Sequence, residues 1–311
     1  MRWKPVRLIP DDTKYPFMRL SRFGFFVSGI LCALSIALFV VKGLNYGIDF
    51  KGGTEMQMRS QQTVHLDALR TTLNNIGVGK VDLQQMGTGN DVLIKVASQA
   101  GDQDGQLTQK KVLEALGPGF EKRSANSVGG TVSSEYTQNA TGAVMLSILF
   151  VLFYLWVRFE WQFAVGAVLS LLHDTTLSIG LFSLIGLEFN LSIVAAILTI
   201  IGYSLNDTVV VFDRIREFLR RYKLMGLADL IDFSINSVLP RTILTSLATL
   251  MALLALYLFG GDVIHGFSFA MIWGVVVGTY SSIFIASPVL ILLGTKREVS
   301  ASDAKRVKRG G

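Results

Sequence analysis

Six stretches of the chain are almost wholly apolar: residues 23–41, 140–157, 163–185, 191–212, 242–259 and 267–293. A helix needs roughly 20 apolar residues to cross the hydrocarbon core of a bilayer, so each stretch reads as a membrane span. Between the first two, the rhythm changes. Glu55-Met56-Gln57-Met58-Arg59 alternates with a period of two, as a half-buried strand does. Over residues 64–76, Leu66, Leu69, Leu73 and Ile76 share one helical face. Residues 81–86 and 91–96 read as strands around the turn Gly87-Thr88-Gly89-Asn90. Residues 106–116 read as a second helix, stopped by Gly117-Pro118-Gly119. The order βαββαβ predicts a ferredoxin-like α+β domain. The expected fold is therefore a polytopic α-helical membrane protein with six transmembrane helices and a small domain between helices 1 and 2.

Composition agrees with a bilayer. Half of the 311 residues are hydrophobic and 17% are charged, against about 25% charged in an ordinary soluble protein. The net charge of +6 does not point to nucleic acid, because the basic residues flank the apolar stretches. They collect in the N-terminal segment (Arg2, Lys4, Arg7, Lys14, Arg19, Arg22), after the fourth span (Arg214, Arg216, Arg220, Arg221, Lys223) and in the tail (Lys296, Arg297, Lys305, Arg306, Lys308, Arg309). The opposite short loops hold only Glu188 and Asp262. The positive-inside rule then puts both termini in the cytoplasm and the domain outside. The expected layout is a cytoplasmic segment 1–22, a first span 23–41, an extracytoplasmic domain 42–139, spans 140–293 with a cytoplasmic loop 213–240, and a basic cytoplasmic tail 294–311. The lone cysteine, Cys32, excludes an internal disulfide. The polar, basic start reads as the approach to a retained anchor, not as a cleaved signal.

Ionisable groups inside spans are costly, roughly 3 kcal/mol each on insertion scales, and need a reason. The fourth span carries Asn206-Asp207-Thr208. Ser192, Thr199, Asn206 and Asp213 recur every seven residues, with Tyr203 and Asp207 beside them, so this stripe is expected to face other helices or water. In the third span Gly166, Ser170, Asp174 and Ser178 recur every four residues, next to His173. Arg241 opens the fifth span. The sixth carries Ala270, Gly274, Gly278, Ser282 and Ala286, a small-residue stripe that lets helices approach closely. That stripe reads as packing. Arg241 taken alone can simply snorkel to lipid phosphates. Asp207 favours a proton or ion site over a structural role, because a carboxyl in low dielectric can load and release a proton. Asp174 is open to either reading, since His173 and Ser170 can satisfy it locally.

Other chemistry is excluded. There is no Walker glycine loop, HExxH, GxSxG or paired cysteine. The histidines, His65, His173 and His265, are too scattered for a metal site. No cofactor or metal and no covalent catalysis are expected.

Several motifs carry a resemblance. Gly47-Ile48-Asp49-Phe50-Lys51-Gly52-Gly53-Thr54 resembles the segment after the first span of the SecD/SecF export proteins. Arg158-Phe159-Glu160-Trp161, His173-Asp174, the run from Gly202 to Glu217, Arg241-Thr242 and Gly278-Thr279-Tyr280-Ser281-Ser282 are similar to the SecF branch. Where that branch has Val-Gly-Pro before the second span, this chain has Val128-Gly129-Gly130. The resemblance implies a subunit of the resistance-nodulation-division superfamily that pairs with SecD. It also implies use of the proton motive force to promote late steps of export driven by SecA and the SecYEG channel, across a bacterial inner membrane. YajC and YidC are further partners within its scope, and unfolded preprotein is the substrate. It places the important carboxylate on Asp207 and its partner cation on Arg241, with Asn206, Asp174, Tyr203 and Thr208 as supporting polar groups and Asp49, Gly52 and Gly53 as motif residues. Gly47, Gly52 and Gly53 are expected to relax the first connection. Two rivals share the membrane plan: a half-transporter for a small molecule or lipid, which usually needs a larger outer domain, and a structural stabiliser that moves no ion.

Overall fold

The computed structural model describes residues 13–79, 81–86, 90–98 and 105–295. The basic tail from Lys296, the N-terminal residues through Asp12 and most of the expected turn at 87–90 lie outside the described residues. In chain order the elements are α1 (Phe17–Lys42), β1 (Asn45–Tyr46), α2 (Ile48–Lys51), β2 (Gly53–Ser60), α3 (Leu66–Asn75), β3 (Val81–Met86), β4 (Asp91–Ala97), α4 (Gln106–Leu116) and β5 (Phe120–Val128). There follow α5 (Gly130–Arg158), α6 (Trp161–Ile185), β6 (Glu188–Phe189), α7 (Leu191–Arg221), α8 (Leu227–Phe259) and α9 (Asp262–Ser281). A π-helical turn over Ser282–Ala286 then leads into α10 (Ser287–Leu292).

Among the described residues, six helices are long and apolar enough to cross a membrane: Phe17–Lys42, Gly130–Arg158, Trp161–Ile185, Leu191–Arg221, Leu227–Phe259 and Ile264–Leu292. They overlap all six expected spans. They also run past them. The expected loop 213–240 is helical except for residues 222–226, and residues 130–139 belong to α5. The physical reason is amphipathicity. Beyond the apolar run, α7 still buries Ile215 and Phe218 in one cluster with Leu230, Ile231 and Ile235 of α8. Hydropathy marks only the part in contact with lipid, whereas a helix continues wherever one face can pack.

The chain divides into two compact units. Of the described residues, the helical unit holds 13–44, 146–187 and 192–295. Its outward positions are large and apolar, as at Phe23, Phe26 and Ile30 of α1 and Leu149, Phe153 and Trp156 of α5. Its interior combines a large apolar cluster, including Phe163, Phe212 and Ile231, with buried serines and two carboxylates, so the polar groups are kept away from the apolar outside, as a bilayer requires. Small residues bring backbones together there. A Cβ on Gly166 would lie 2.9 Å from the carbonyl oxygen of Ala286, and one on Gly278 would lie 3.0 Å from Ser204 Cβ.

The second unit holds residues 45–145 and 188–191. Its four-stranded sheet has the order β3-β4-β2-β5 with every neighbour antiparallel, the arrangement expected of a ferredoxin-like fold. Met56, Met58, Ile94 and Val96 of the sheet pack with Leu69 and Leu73 of α3 and Val112 of α4. Two features were not foreseen. β1 and β6 pair in parallel. Lys95 of β4 binds Glu188 directly and lies 3.7 Å from Glu55. Burial and the neighbouring Glu188 push the Glu55 carboxyl up from the ordinary range, against the opposing pull of Lys95.

The glycine pair is a fixed corner and not a loose connection. Gly52 has φ 69° and Gly53 has φ 138°, a region that favours glycine. Gly53 already pairs with Ala97 and Val128, and a Cβ there would strike the carbonyl oxygen of Val96. Beside this corner, Asp49 accepts the Leu191 backbone N–H at 2.9 Å, supplying a partner to the first turn of α7. Between β5 and α5 the chain spends a single residue, Gly129, so helix follows strand without a loop.

Candidate functional site

Two carboxylates are buried among the helices of the first unit. Asp207 on α7 is 6% exposed and Asp174 on α6 is 1% exposed. Asp207 accepts a hydrogen bond from Ser282 Oγ at 3.1 Å, donated from the first residue of the π turn. The buried Thr242 hydroxyl of α8 faces the same carboxylate without making a well-aligned hydrogen bond. Thr208 is also buried, and its hydroxyl has no partner.

Asp174 is held more completely. Its Oδ2 accepts Ser204 Oγ from α7 at 2.5 Å and Ser281 Oγ from α9 at 2.8 Å. Its Oδ1 lies 2.9 Å from His173 Nδ1. Ser170 extends this chain by donating to Ser281 at 2.9 Å. The two serines that serve the two carboxylates, Ser281 and Ser282, are consecutive residues at the junction of α9 with the π turn. Single π turns inside helices recur at functional sites because the wider turn frees backbone groups and re-aims side chains.

The expected pair of Asp207 with Arg241 is not formed in this structure. Arg241 is exposed, and no ion pair joins it to Asp207. The reason lies in helix geometry. Successive residues on a helix point about 100° apart, since a turn holds 3.6 residues. Thr242 therefore takes the inward position on α8, and its neighbour Arg241 points out. The same offset divides the polar positions of the fourth span. Asn206 and Thr199 are exposed and Tyr203 is half-buried, while Ser204, Asp207 and Thr208 form the inward face. Of the supporting residues, the structure brings Asp207 and Thr208 to the interior face of α7 and Asp174 to its own network. Asn206 and Arg241 remain outside.

The sequence left Ser204, Ser281 and Ser282 without a role at the carboxylates. The only signal was indirect: Ser282 lies on the small-residue stripe, and Ser281-Ser282 closes one of the quoted motifs. At one end of the unit, Arg158 makes two hydrogen bonds to Asp213, at 2.8 and 2.7 Å, and Arg216 donates to the Arg158 carbonyl at 3.2 Å. Both arginines also lie over the Phe159 ring. The Arg158-Phe159 motif and the end of the long α7 motif are thus one structural joint. Among the described residues, no group of histidine, cysteine and acidic side chains is arranged to hold a metal.

Residues 108–296 match the family model for the protein export membrane protein SecD/SecF, C-terminal, and residues 37–64 match the SecD/SecF GG motif. The chain belongs to the SecD/SecF family. Its match to the protein translocase subunit SecF of Rickettsia bellii is 40% identical over 300 residues, covering 96% of this chain and 99% of that one. The SecF of Rhodobacter capsulatus is also 40% identical, covering 96% and 94% of the two chains. In Brucella abortus the matching protein is a SecDF, 43% identical, of which this chain spans 40%. The solved SecDF of Thermus thermophilus, described as a translocon-associated membrane protein, superposes with a TM-score of 0.82 at 34% identity, covering 93% of this chain and 40% of that longer one. A SecD/SecF chain is a component of protein export, and this one is a multi-pass membrane protein. The GG motif of the family falls on the Gly52-Gly53 corner described above.

Proposed function

We propose that this chain is the SecF subunit of a preprotein translocase. With SecD, it uses the proton motive force to promote late steps of export driven by SecA and SecYEG across a bacterial inner membrane. Both termini lie in the cytoplasm and the α+β domain on the far side. Asp207 is the group whose protonation is read. The observation that carries this reading is a carboxylate buried among spans and supported, among the described residues, by hydroxyls with no cation beside it. Such a group is expensive to keep charged, so a proton changes which helix packing is favoured.

Arg241 enters as the alternative partner. It lies one residue from Thr242, which faces Asp207, and follows Pro240, a proline inside α8. Proline removes a backbone hydrogen bond and localises helix bending. A turn of α8 by about one residue's angle, 100°, exchanges Thr242 for Arg241 at the carboxylate. An ionised Asp207 favours Arg241, and a neutral one favours Thr242, because a buried acid–base pair is sensitive to the loss of one charge. One proton crossing roughly 170 mV supplies about 4 kcal/mol, enough to bias such a two-state element strongly.

SecD supplies what the exposed polar groups need. Thr199, Asn206 and Arg241 are exposed on spans, where a neighbouring helix satisfies them better than lipid. Relatives in which SecD and SecF form one chain support that partner. The test is Asp207→Asn in vesicles rebuilt with SecD, SecYEG and SecA. The complex should assemble and lose the stimulation of export by a proton gradient. Full stimulation in that variant removes Asp207 from the mechanism, and stimulation by a sodium gradient instead reassigns the ion.

A further inference from the structure

Asp174 is a second buried carboxylate that the reading of Asp207 leaves unused. Polar groups from four helices surround it. On α6 it has His173 beside it. From α7 comes Ser204, and from α9 come Ser281 and Tyr280, whose ring lies 6.0 Å from that of His173. From α1, Cys32 is within electrostatic reach. Among the described residues, no lysine or arginine pairs with Asp174, and its sole ion-pair partner is His173.

The proton count of this cluster is incomplete. An ionised Asp174 takes its hydrogen bonds from His173 Nδ1–H, Ser204 and Ser281. That assigns the neutral ring its proton at Nδ1 and leaves Nε2 as a bare acceptor. Nε2 is buried and has no partner, although His173 is only 6% exposed. In this state the pair carries one negative charge with no cation to offset it. A single proton taken from the medium, forming an N–H at Nε2 or an O–H on the carboxyl, makes the pair neutral; no other bond forms or breaks.

The two carboxylates also meet in one element. Ser281 has one hydroxyl hydrogen and two acceptors, Asp174 Oδ2 at 2.8 Å and the Gly278 carbonyl at 3.1 Å. Ser282 has the same choice, Asp207 Oδ2 at 3.1 Å or the Thr279 carbonyl at 3.0 Å. An ionised carboxylate draws the hydroxyl outward, since hydrogen bonds to charged acceptors are the stronger ones. A neutral one returns it to the serine's own helix. These choices fall at the α-to-π junction, where the Ser282 carbonyl is itself taken by Ser287 Oγ at 2.9 Å and not by an ordinary helical N–H alone.

We propose that His173 and Asp174 form a second proton-binding site, and that Ser281 and Ser282 couple its charge state to that of Asp207 through the π turn of the sixth span. The coupling rests on the reading of Asp207 as a proton site; the existence of the second site does not. Two protonation events then act on one helix junction, and the response to pH is that of a pair.

The full-length chain, reconstituted in liposomes, can be titrated over about pH 4–9, the range in which perturbed carboxyls and histidines ionise. Infrared difference spectra then read the protonated-carboxyl stretch together with the imidazole ring modes, so that a proton on Asp174 or on His173 Nε2 is seen. Two buried sites are expected to titrate. Asp207→Asn should remove one signal and Asp174→Asn the other, and each should move the surviving midpoint by about one pH unit, the scale at which neighbouring groups titrate as a pair. Ser281→Ala keeps both carboxyls and should weaken that mutual shift, so the test stands even if Asp174→Asn inserts poorly. A titration unchanged by Asp174→Asn, or two midpoints that ignore each other and Ser281→Ala, overturns the proposal. Loss of no signal in Asp207→Asn refutes the Asp207 reading instead, while the Asp174 signal is judged separately.

Discussion

Gly180→Ala tests whether the approach of α1 to α6 is set by contact. A Cβ on Gly180 would lie 2.7 Å from Ser35 Cα, with the Ser35 side chain closer still. Non-bonded carbons rest at roughly 3.5–4.0 Å, so the helices must part by at least about 0.8 Å. Two effects oppose each other. Replacing glycine by alanine in a helix interior stabilises by about 1 kcal/mol. Overpacking a closed interior costs about 1–3 kcal/mol. The obstruction is backbone as well as side chain, so it cannot be relieved by a rotamer change. Parting the helices also strains the bonds nearby: Ser183 Oγ donates to the carbonyls of Leu38 and Gly43 at 3.1 and 2.7 Å, and Lys42 to that of Leu184 at 2.7 Å. The clash is expected to win, with a net loss of up to about 2 kcal/mol. Reversible unfolding in mixed micelles measures it, and Ser35→Gly in the Gly180→Ala background should recover only part of the loss, because the side-chain contacts go while the contact with the Ser35 Cα stays. A Gly180→Ala protein at least as stable as the parent refutes the contact argument.

Three further outcomes are expected of the second unit, all read by hydrogen exchange in the intact chain. Leu73→Ala removes a side chain with 0% exposure from the α+β core and should cost about 2–5 kcal/mol, seen as faster exchange in β2 and β4; unchanged protection there would show that Leu73 does not hold α3 to the sheet. Asp49→Ala takes away the acceptor for the Leu191 N–H and should cost about 1 kcal/mol, as loss of a helix cap does, with fraying confined to the first turn of α7, whereas Asp49→Asn should retain most of it. Because the Glu55 carboxyl is raised by burial and Glu188, its contribution to stability is present below the ordinary glutamate range and is lost as pH rises through the raised value. Glu55→Gln should therefore flatten the pH dependence of protection in β2, and a slope identical to the parent's would contradict that environment.

The spans were legible because a bilayer imposes one requirement, roughly 20 apolar residues in a row, which composition alone can meet or fail. The α+β domain was legible because strands and helices write different periods, clear in β2 and α3, and because turn and stop residues bracket β3, β4 and α4. Asp207 and Asp174 stood out because charge inside an apolar run is rare. What the run could not reveal was rotation. Asn206 and Asp207, or Arg241 and Thr242, differ by one position and about 100°, and only the packing of neighbouring helices selects which of each pair points inward. The serines were silent for a related reason. A serine in a span ordinarily bonds its own helix's carbonyl, so Ser204, Ser281 and Ser282 look alike until another helix brings a carboxylate within reach.

Sequence by itself thus determined which segments enter the bilayer, the order of strands and helices in the domain, and the presence of two acids that need partners. Tertiary structure decided who those partners are. It set hydroxyls around Asp207 where a cation was expected, turned Arg241 outward, and placed a π turn where two adjacent serines reach two different acids. The physical reason is that burial of apolar surface is additive along a chain and can be read locally. A hydrogen bond between helices depends on registry and rotation, which are properties of the assembled fold.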